Sequence, residues 1–348
     1  MNNNEMRKLD ENVLKKVVGK LNADFIKDLP ITAEELFEFA KRRIEPQISS
    51  NISYDLGKRM LESRLSDEDY FITFLKAIQD VFYAKEAEDG SIQTHILVSQ
   101  TGGGKTNLRK LLLNKDKNMI IVNPDLYKKF RPDATKIMKE DPTCFGALTG
   151  IDSYDHASNI LDFAIAKKYN LLLECAPSTQ NGLIGVDLKK LNENGYETQF
   201  DILSVGDLIS SIAIHKRYEI ELRQKNKGAK LTDLKRHNDS YEAVEEIIKE
   251  LPPKKINIYR RGTDIEKQVP VLINGDSNKT NIYSLEKLKE EREKSNTEYS
   301  KSNFGIDYKN IYSQMKERNA PKEQFEQLEE VYDKYLNYIG RKFMEEER

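Results

Sequence analysis

The chain has 348 residues, enough for one large or two ordinary domains with a real core. Apolar residues at 38% and charged residues at 33% exclude a disordered chain and predict a highly charged globular protein. Lys+Arg 56 nearly balance Asp+Glu 58, giving net charge −2, which argues against a general nucleic-acid binder and leaves a nucleotide open as substrate.

Residues 1 to about 88 read as helical. VLKKVVGKLNADFI carries apolar residues near helical spacing, TAEELFEFAKRRI opens on a Thr cap, and LSDEDYFITFLKAIQDVFYAK continues the pattern. EAEDGS, residues 86–91, closes the region as a turn. From 92 to about 252, strand candidates THILVSQ, NMIIVNP, YNLLLEC and TQFDILSV are short apolar runs suited to a parallel sheet buried on both faces. Helical stretches lie between and after them: KTNLRKLLLNK, SYDHASNILDFAIAKK, GVDLKKLNENG and GDLISSIAIHKRYEIELRQK. The alternation predicts an α/β, doubly wound core of the P-loop NTPase type. Beyond it, KINIYRRGTDIEKQVPVLIN reads as a hairpin or final strand pair, and SLEKLKEEREK and KEQFEQLEEVYDKYLNYIGRKFMEEER as long charged helices. The expected organisation is a helical region 1–88, a kinase-like core 89–275 and a helical region 276–348, with helical extensions flanking the parallel sheet.

Two cysteines, Cys144 and Cys175, and four histidines without zinc-ligand spacing argue against a disulfide framework or a structural zinc. MNNNEMRKLDEN has no apolar core of signal-peptide length and no run approaches a membrane span, so a cytoplasmic protein is expected.

The chemistry centres on SQTGGGKT, Ser99 to Thr106. A phosphate loop needs a buried strand, a glycine-rich turn and a helix N-terminus, here THILV, SQTGGG and KTNLRKLLL. Thr101, Gly102, Gly103 and Gly104 would present backbone N–H groups to phosphate, Lys105 would bridge the outer phosphates, and Thr106 would ligate magnesium. Ser99 stands where the usual pattern has Gly. Asp125, at the expected C-terminal end of the NMIIVNP strand, is a candidate general base that also helps hold magnesium. Glu174 ends YNLLLEC as a Walker-B-type carboxylate. Arg217 in HKRYE, with Lys230 at the end of the QKNKGAK turn, would supply positive charge to the transferred phosphoryl group.

Together these residues resemble the zeta toxins, P-loop kinases of toxin–antitoxin systems whose better-characterised members phosphorylate UDP-N-acetylglucosamine at the 3′-hydroxyl of the amino sugar. The resemblance runs from about His95 to Leu251. GKTNLR is similar to the family's Gly-Lys-Thr-x-Leu-Arg, VNPD stands where the family carries its general-base Asp, and NLLLE resembles its Walker-B-like strand. RYE at Arg217 is similar to the first ATP-clamping arginine, and AKLTDLKRHN keeps the spacing of the second clamp, with Lys230 in place of Arg. Arg236 is a candidate to take over that clamp in space.

The resemblance implies ATP and Mg2+ as donor and cofactor, catalytic roles for Lys105, Asp125, Arg217 and Lys230, and an antitoxin as candidate partner. The family's substrate-binding Glu falls on Ser158, with Asp155 one turn earlier, so Asp155, Ser158 and Glu174 are the acceptor-side candidates. After Glu174 the family continues with small residues and an Arg, whereas this chain reads Cys175, Ala176, Pro177, Ser178, Thr179. The expected activity is phosphate transfer from ATP to a hydroxyl of a nucleotide-linked metabolite, first a UDP-N-acetylglucosamine-like sugar nucleotide. NAD or an RNA end is the alternative acceptor, and a non-catalytic nucleotide-dependent binding module the alternative class. Residues 1–88 could inhibit in cis or simply pack on the core.

Overall fold

Short apolar runs bounded by polar turns form the strands, and the stretches between them form helices. The computed structural model describes residues 6–8, 12, 16, 38–39, 42–44, 52–83, 85–88, 90–178, 183–224, 229–251, 253–262, 269–274 and 281–346. In chain order the elements begin with β1 (Met6–Lys8), β2 (Arg42–Ile44), α1 (Tyr54–Glu62), α2 (Asp67–Phe82), β3 (Gln93–Val98) and α3 (Lys105–Lys115). Next come β4 (Ile120–Val122), α4 (Pro124–Tyr127), α5 (Ala134–Glu140), α6 (Phe145–Leu148), α7 (Gly150–Ala166) and β5 (Leu171–Cys175). The remainder is α8 (Leu183–Glu193), β6 (Glu197–Ser204), α9 (Asp207–Arg223), α10 (Leu234–Glu250), β7 (Lys255–Arg260), β8 (Val271–Asn274), α11 (Asn281–Ser302), α12 (Phe304–Glu317) and α13 (Lys322–Glu346). The class is α/β, mostly parallel strands flanked by helices, as the alternation predicts.

The chain folds as two compact units, one from Met1–Ile92 and Lys117–Glu174, the other from Gln93–Asp116 and Cys175–Arg348. In the first unit β4 and β5 pair in parallel, Ile120 opposite Leu171. The sixteen-residue helix α2 starts on Ser66, whose hydroxyl accepts the Asp69 N–H, with Asp67, Glu68 and Asp69 in its first turn. Its apolar face buries Phe71, Phe74, Leu75, Ile78 and Phe82. The Phe82 ring meets Phe163 edge-on at 4.9 Å and Tyr169 at 5.2 Å.

The N-terminal region is not helical throughout. β1 and β2 pair antiparallel, Met6 opposite Ile44, so Arg42–Ile44 belongs to a strand where the TAEELFEFAKRRI pattern predicts helix. Pairing with a distant strand overrides the local periodicity. Most of the VLKKVVGKLNADFI stretch lies outside the described residues.

In the second unit β3, β6 and β7 run parallel, and β8 turns back antiparallel to β7 with a bulge at Ile258/Tyr259, forming the expected final strand pair. Ile96, Leu97, Phe200, Ile202 and Ile258 are buried along these strands. Among the described residues the C-terminal segment holds three helices, since α12 stands between the two long ones read from the sequence. They build a core with α9 and α10 in which Leu208, Ile212 and Leu234 pack with Phe304, Ile311, Met315, Leu328 and Val331.

Candidate functional site

The phosphate loop follows the predicted strand–turn–helix order. Gly102 and Gly104 have φ of +74° and +96°, the left-handed region that a residue with a Cβ enters at a cost. Gly104 is the N-cap of α3 and no side chain caps the helix, in contrast to Ser66 on α2. The start of α3 thus carries no side-chain cap and holds the positive end of the helix dipole. Lys105 donates from Nζ to the Ser99 carbonyl at 2.8 Å and the Gln100 carbonyl at 3.1 Å, which lays the ammonium across the loop. Thr106, in the first turn, is exposed.

Close packing fixes the loop. A Cβ on Gly102 would lie 2.1 Å from the Ser210 carbonyl oxygen, and one on Gly103 would lie 2.3 Å from Ser99 Oγ. Ser99 therefore fills the space that Gly103 leaves, and its hydroxyl donates to the Leu203 carbonyl at 3.3 Å. That accounts for a serine where the usual motif begins with glycine.

Beneath the loop runs a polar network that spacing along the chain does not reveal. The Gln100 side-chain amide donates to the Val205 carbonyl at 2.7 Å and to Ser210 Oγ at 3.1 Å. His237 Nε2 lies 2.9 Å from Ser210 Oγ, and burial pushes this imidazole down to about 4, so it is neutral near pH 7. Ser240 Oγ accepts the Thr101 N–H at 3.0 Å. α9 and α10 thereby grip the loop from Ser210, His237 and Ser240, more than a hundred residues downstream in sequence.

Arg217 and Lys230 come together within this unit. Arg217 Nη2 donates to Thr232 Oγ1 at 3.3 Å, and its Nε lies 3.7 Å from Glu221 Oε1. The Lys230 backbone N–H donates to Glu221 Oε2 at 3.1 Å. Glu221 and Thr232 thus join the two candidate clamp residues. Arg236 is engaged elsewhere. Its two terminal nitrogens donate to the carbonyls of Pro177 and Ala176, both at 2.7 Å, and Nη1 also to Asp239. The guanidinium fork expected to replace the second clamp instead holds the backbone that follows β5.

The acceptor-side candidates belong to the first unit. Asp125 does not end the strand: β4 stops at Val122 and Asp125 sits in the first turn of α4. Asn123 caps that helix by accepting the Asp125 N–H at 2.9 Å, and Pro124 takes the first helical position. The Asp125 carboxylate is exposed, and buried Lys128 donates to its Oδ1 at 2.5 Å. This pairing orients the carboxylate while leaving it open to solvent. Glu174 is buried on β5, and Ser158 is half-buried on α7.

Asp155 lies in a buried ion cluster. Arg64 Nη2 donates to its Oδ2 at 3.0 Å, and the side chain is 3% exposed. At the centre of the cluster is Asp152, 1% exposed, which accepts from Arg43 at 2.8 Å, Arg131 at 2.9 Å and the Leu65 N–H at 2.8 Å. Nothing in the sequence pattern links Arg43, Arg64 and Arg131, which lie up to 109 positions from Asp152. Among the described residues no group of three or more His, Cys, Asp or Glu could hold a metal ion, so a protein-only metal cage is absent there.

A zeta toxin family model matches residues 79–269, more than half of the chain. The chain belongs to the zeta toxin family. Members of this family are kinases. The match takes in the phosphate loop, Asp125, Glu174, Arg217 and Lys230, and stops short of α11, α12 and α13.

Among solved structures, one from the PezAT chromosomal toxin–antitoxin system of Streptococcus pneumoniae is similar at TM-score 0.53 and 16% identity, over 65% of this chain and 88% of that one. At this identity the likeness is one of fold. The AvrRxo1-ORF1:-ORF2 complex matches at TM-score 0.41 and 10% identity, over 80% of this chain and 83% of that chain, and the same complex with ATP at 0.38 and 12%, over 67% and 70%. No curated protein matches. Among the described residues no helix is long and apolar enough to cross a membrane.

Proposed function

We propose that this zeta toxin family member transfers the γ-phosphoryl group of ATP to a hydroxyl of a nucleotide-linked metabolite, with a UDP-N-acetylglucosamine-like sugar nucleotide as the first acceptor to test. The observation that carries the reading is the uncapped N-terminus of α3 behind a left-handed Gly104, with Lys105 folded over the loop. Such a turn offers backbone donors and a cation to a polyphosphate.

The loop's fit to ATP rests on the left-handed turns at Gly102 and Gly104; the Thr101 N–H is spent on Ser240 Oγ and the Gly103 N–H on the Gln100 carbonyl, so the donors proposed for phosphate are the Gly102 and Gly104 amides and the start of α3 rather than all four residues of the turn. Thr106 is exposed and its hydroxyl would hold magnesium, which would neutralise charge on the outer phosphates. Asp125 accepts the proton as the acceptor oxygen bonds to the γ-phosphorus and the bond to the β-phosphate oxygen breaks, releasing ADP. Its exposure gives an acceptor access, and Lys128 holds the carboxylate in one orientation. Arg217 and Lys230 clamp the phosphates and oppose the developing charge.

The acceptor is the open part of the proposal. Asp155 is committed to Arg64, and the post-β5 backbone is held by Arg236 rather than carrying an arginine of its own. These departures keep NAD and an RNA end as competing acceptors, and a protein antitoxin as proposed partner. Asp125→Asn should bind ATP as the parent does and lose phosphate transfer by about a hundredfold or more. Transfer at the parent rate would remove Asp125 from the mechanism.

A further inference from the structure

The clamp residues Arg217 and Lys230 sit on a helix and loop whose far side is held by the C-terminal helices. Arg318, at the C-terminus of α12, places its guanidinium fork on Glu219, with contacts of 2.7, 3.0 and 3.1 Å. Glu219 is 3% exposed and stands two residues after Arg217. Arg318 also donates to the Gln324 side chain, and the Gln324 amide reaches the Tyr218 hydroxyl at 3.4 Å. One residue before Arg217, Lys216 pairs with Asp307 of α12 at 2.8 Å.

The loop side of the clamp is held in the same way. Gln327 of α13 donates to the Thr232 carbonyl at 2.8 Å, while the Thr232 hydroxyl is the group that accepts from Arg217. Lys334 of α13 reaches Asp207 at the start of α9, at 3.0 Å, and Asn238 on α10 at 2.7 Å. The C-terminal helices thus contact the clamp segment at Lys216, Tyr218, Glu219 and Thr232, on both sides of Arg217, and touch neither Arg217 nor the phosphate loop through these bonds. All of them lie beyond residue 269, where the family match ends.

We propose that α12 and α13 position the nucleotide clamp, with Arg318 as the main positioning residue and Gln327 as its counterpart on the loop side. A clamp of two long cationic side chains, one on an exposed helix face, has many conformations, and ATP must select the few that bring Arg217 and Lys230 to the phosphates. Fixing the back of the segment removes that entropy before the nucleotide arrives, which raises affinity without a new contact to it. The inference rests on the proposed ATP site and adds to it a part of the chain outside the family match.

The test is ATP affinity by titration calorimetry on the full-length protein, at a temperature well below unfolding, for the parent, Arg318→Ala, Arg318→Lys and Gln327→Ala. If removing the fork leaves the clamp correctly placed about a tenth of the time, the Kd for ATP rises about tenfold in Arg318→Ala. Arg318→Lys keeps the charge opposite Glu219 and should recover most of that loss. Gln327→Ala removes one half-buried hydrogen bond, should fold normally, and should still weaken ATP binding by about two- to threefold. Unchanged ATP affinity in both alanine variants, with the parent binding normally, would reduce these helices to packing elements. A parent that binds no ATP would refute the donor site itself and the positioning role with it, so the two failures are told apart by the parent titration.

Discussion

Replacing Gly102 by alanine puts the geometry of the phosphate loop to a direct test. The added Cβ would sit 2.1 Å from the Ser210 carbonyl oxygen, 3.0 Å from its carbon and 3.1 Å from Ile214 Cγ1. Ser210 belongs to a helix, so its backbone cannot turn aside, and the loop must retreat by more than about 1 Å to reach van der Waals separation. The φ of +74° adds about 1–2 kcal/mol for an L-residue, and overpacking adds about 1–3 kcal/mol. Together these predict about 2–5 kcal/mol of destabilisation, or a fall in Tm of roughly 5–15 °C. A displacement of that size in a phosphate cradle costs about a hundredfold in function. Gly340→Ala is the matched control, because nothing lies within 4 Å of its Cβ position and it is inside α13. It should stabilise by up to about 1 kcal/mol and leave ATP binding unchanged. Calorimetry for stability and titration for ATP affinity give both numbers. If Gly102→Ala bound ATP with parental affinity and kept its Tm, the loop conformation described here would be refuted.

Other expectations are simpler. Asp152→Ala leaves Arg43, Arg64 and Arg131 around a missing charge and should cost about 3–5 kcal/mol by chemical denaturation; a loss under 1 kcal/mol would show that the cluster relaxes into solvent. Burial pushes His156, His215 and His237 down to about 4, so the unfolded chain takes up protons below about 6.5 that the folded chain refuses. Stability should therefore be full above about pH 6.5 and drain as the pH falls towards 4, by up to about 3 kcal/mol per histidine. Half-buried Asp187, pushed up to about 7 by burial, works in the opposite sense below that pH, and three histidines outweigh it. Stability that is flat from pH 7 to 4.5 would contradict this account. Lys105→Ala should abolish measurable ATP binding with little change in Tm, since the Ser99 and Gln100 carbonyls that its ammonium bonds can be served by solvent instead.

The strand–turn–helix geometry of the glycine-rich loop is legible in the sequence because its rules are local. Three glycines before Lys105 require a left-handed turn, and KTNLRKLLLNK supplies a helix whose Leu108 and Leu112 face inward. Asp125 lies on α4 rather than at the end of β4, because Asn-Pro-Asp is an N-cap, a first-turn proline and a first-turn acid, which together start a helix rather than end a strand. What could not be read was whatever depends on long-range contact. The Ser210, His237 and Ser240 support of the loop joins residues more than a hundred positions apart, and the Arg318 fork on Glu219 joins residues 99 apart. The Arg42–Ile44 strand likewise exists only because Met6–Lys8 pairs with it. Arg236, expected to take over the second clamp, instead gives its fork to the Pro177 and Ala176 carbonyls, which no periodicity announces.

The central claim is phosphoryl transfer from ATP to a small nucleotide-linked acceptor. Incubating the full-length protein with γ-labelled ATP and, separately, UDP-sugars, NAD and oligonucleotides tests it most directly, with Asp125→Asn in parallel. The account predicts label on a UDP-sugar, one ADP per phosphate transferred, and loss of both in the variant. Label on oligonucleotide alone, or ATP bound by the parent with no acceptor phosphorylated, would contradict it.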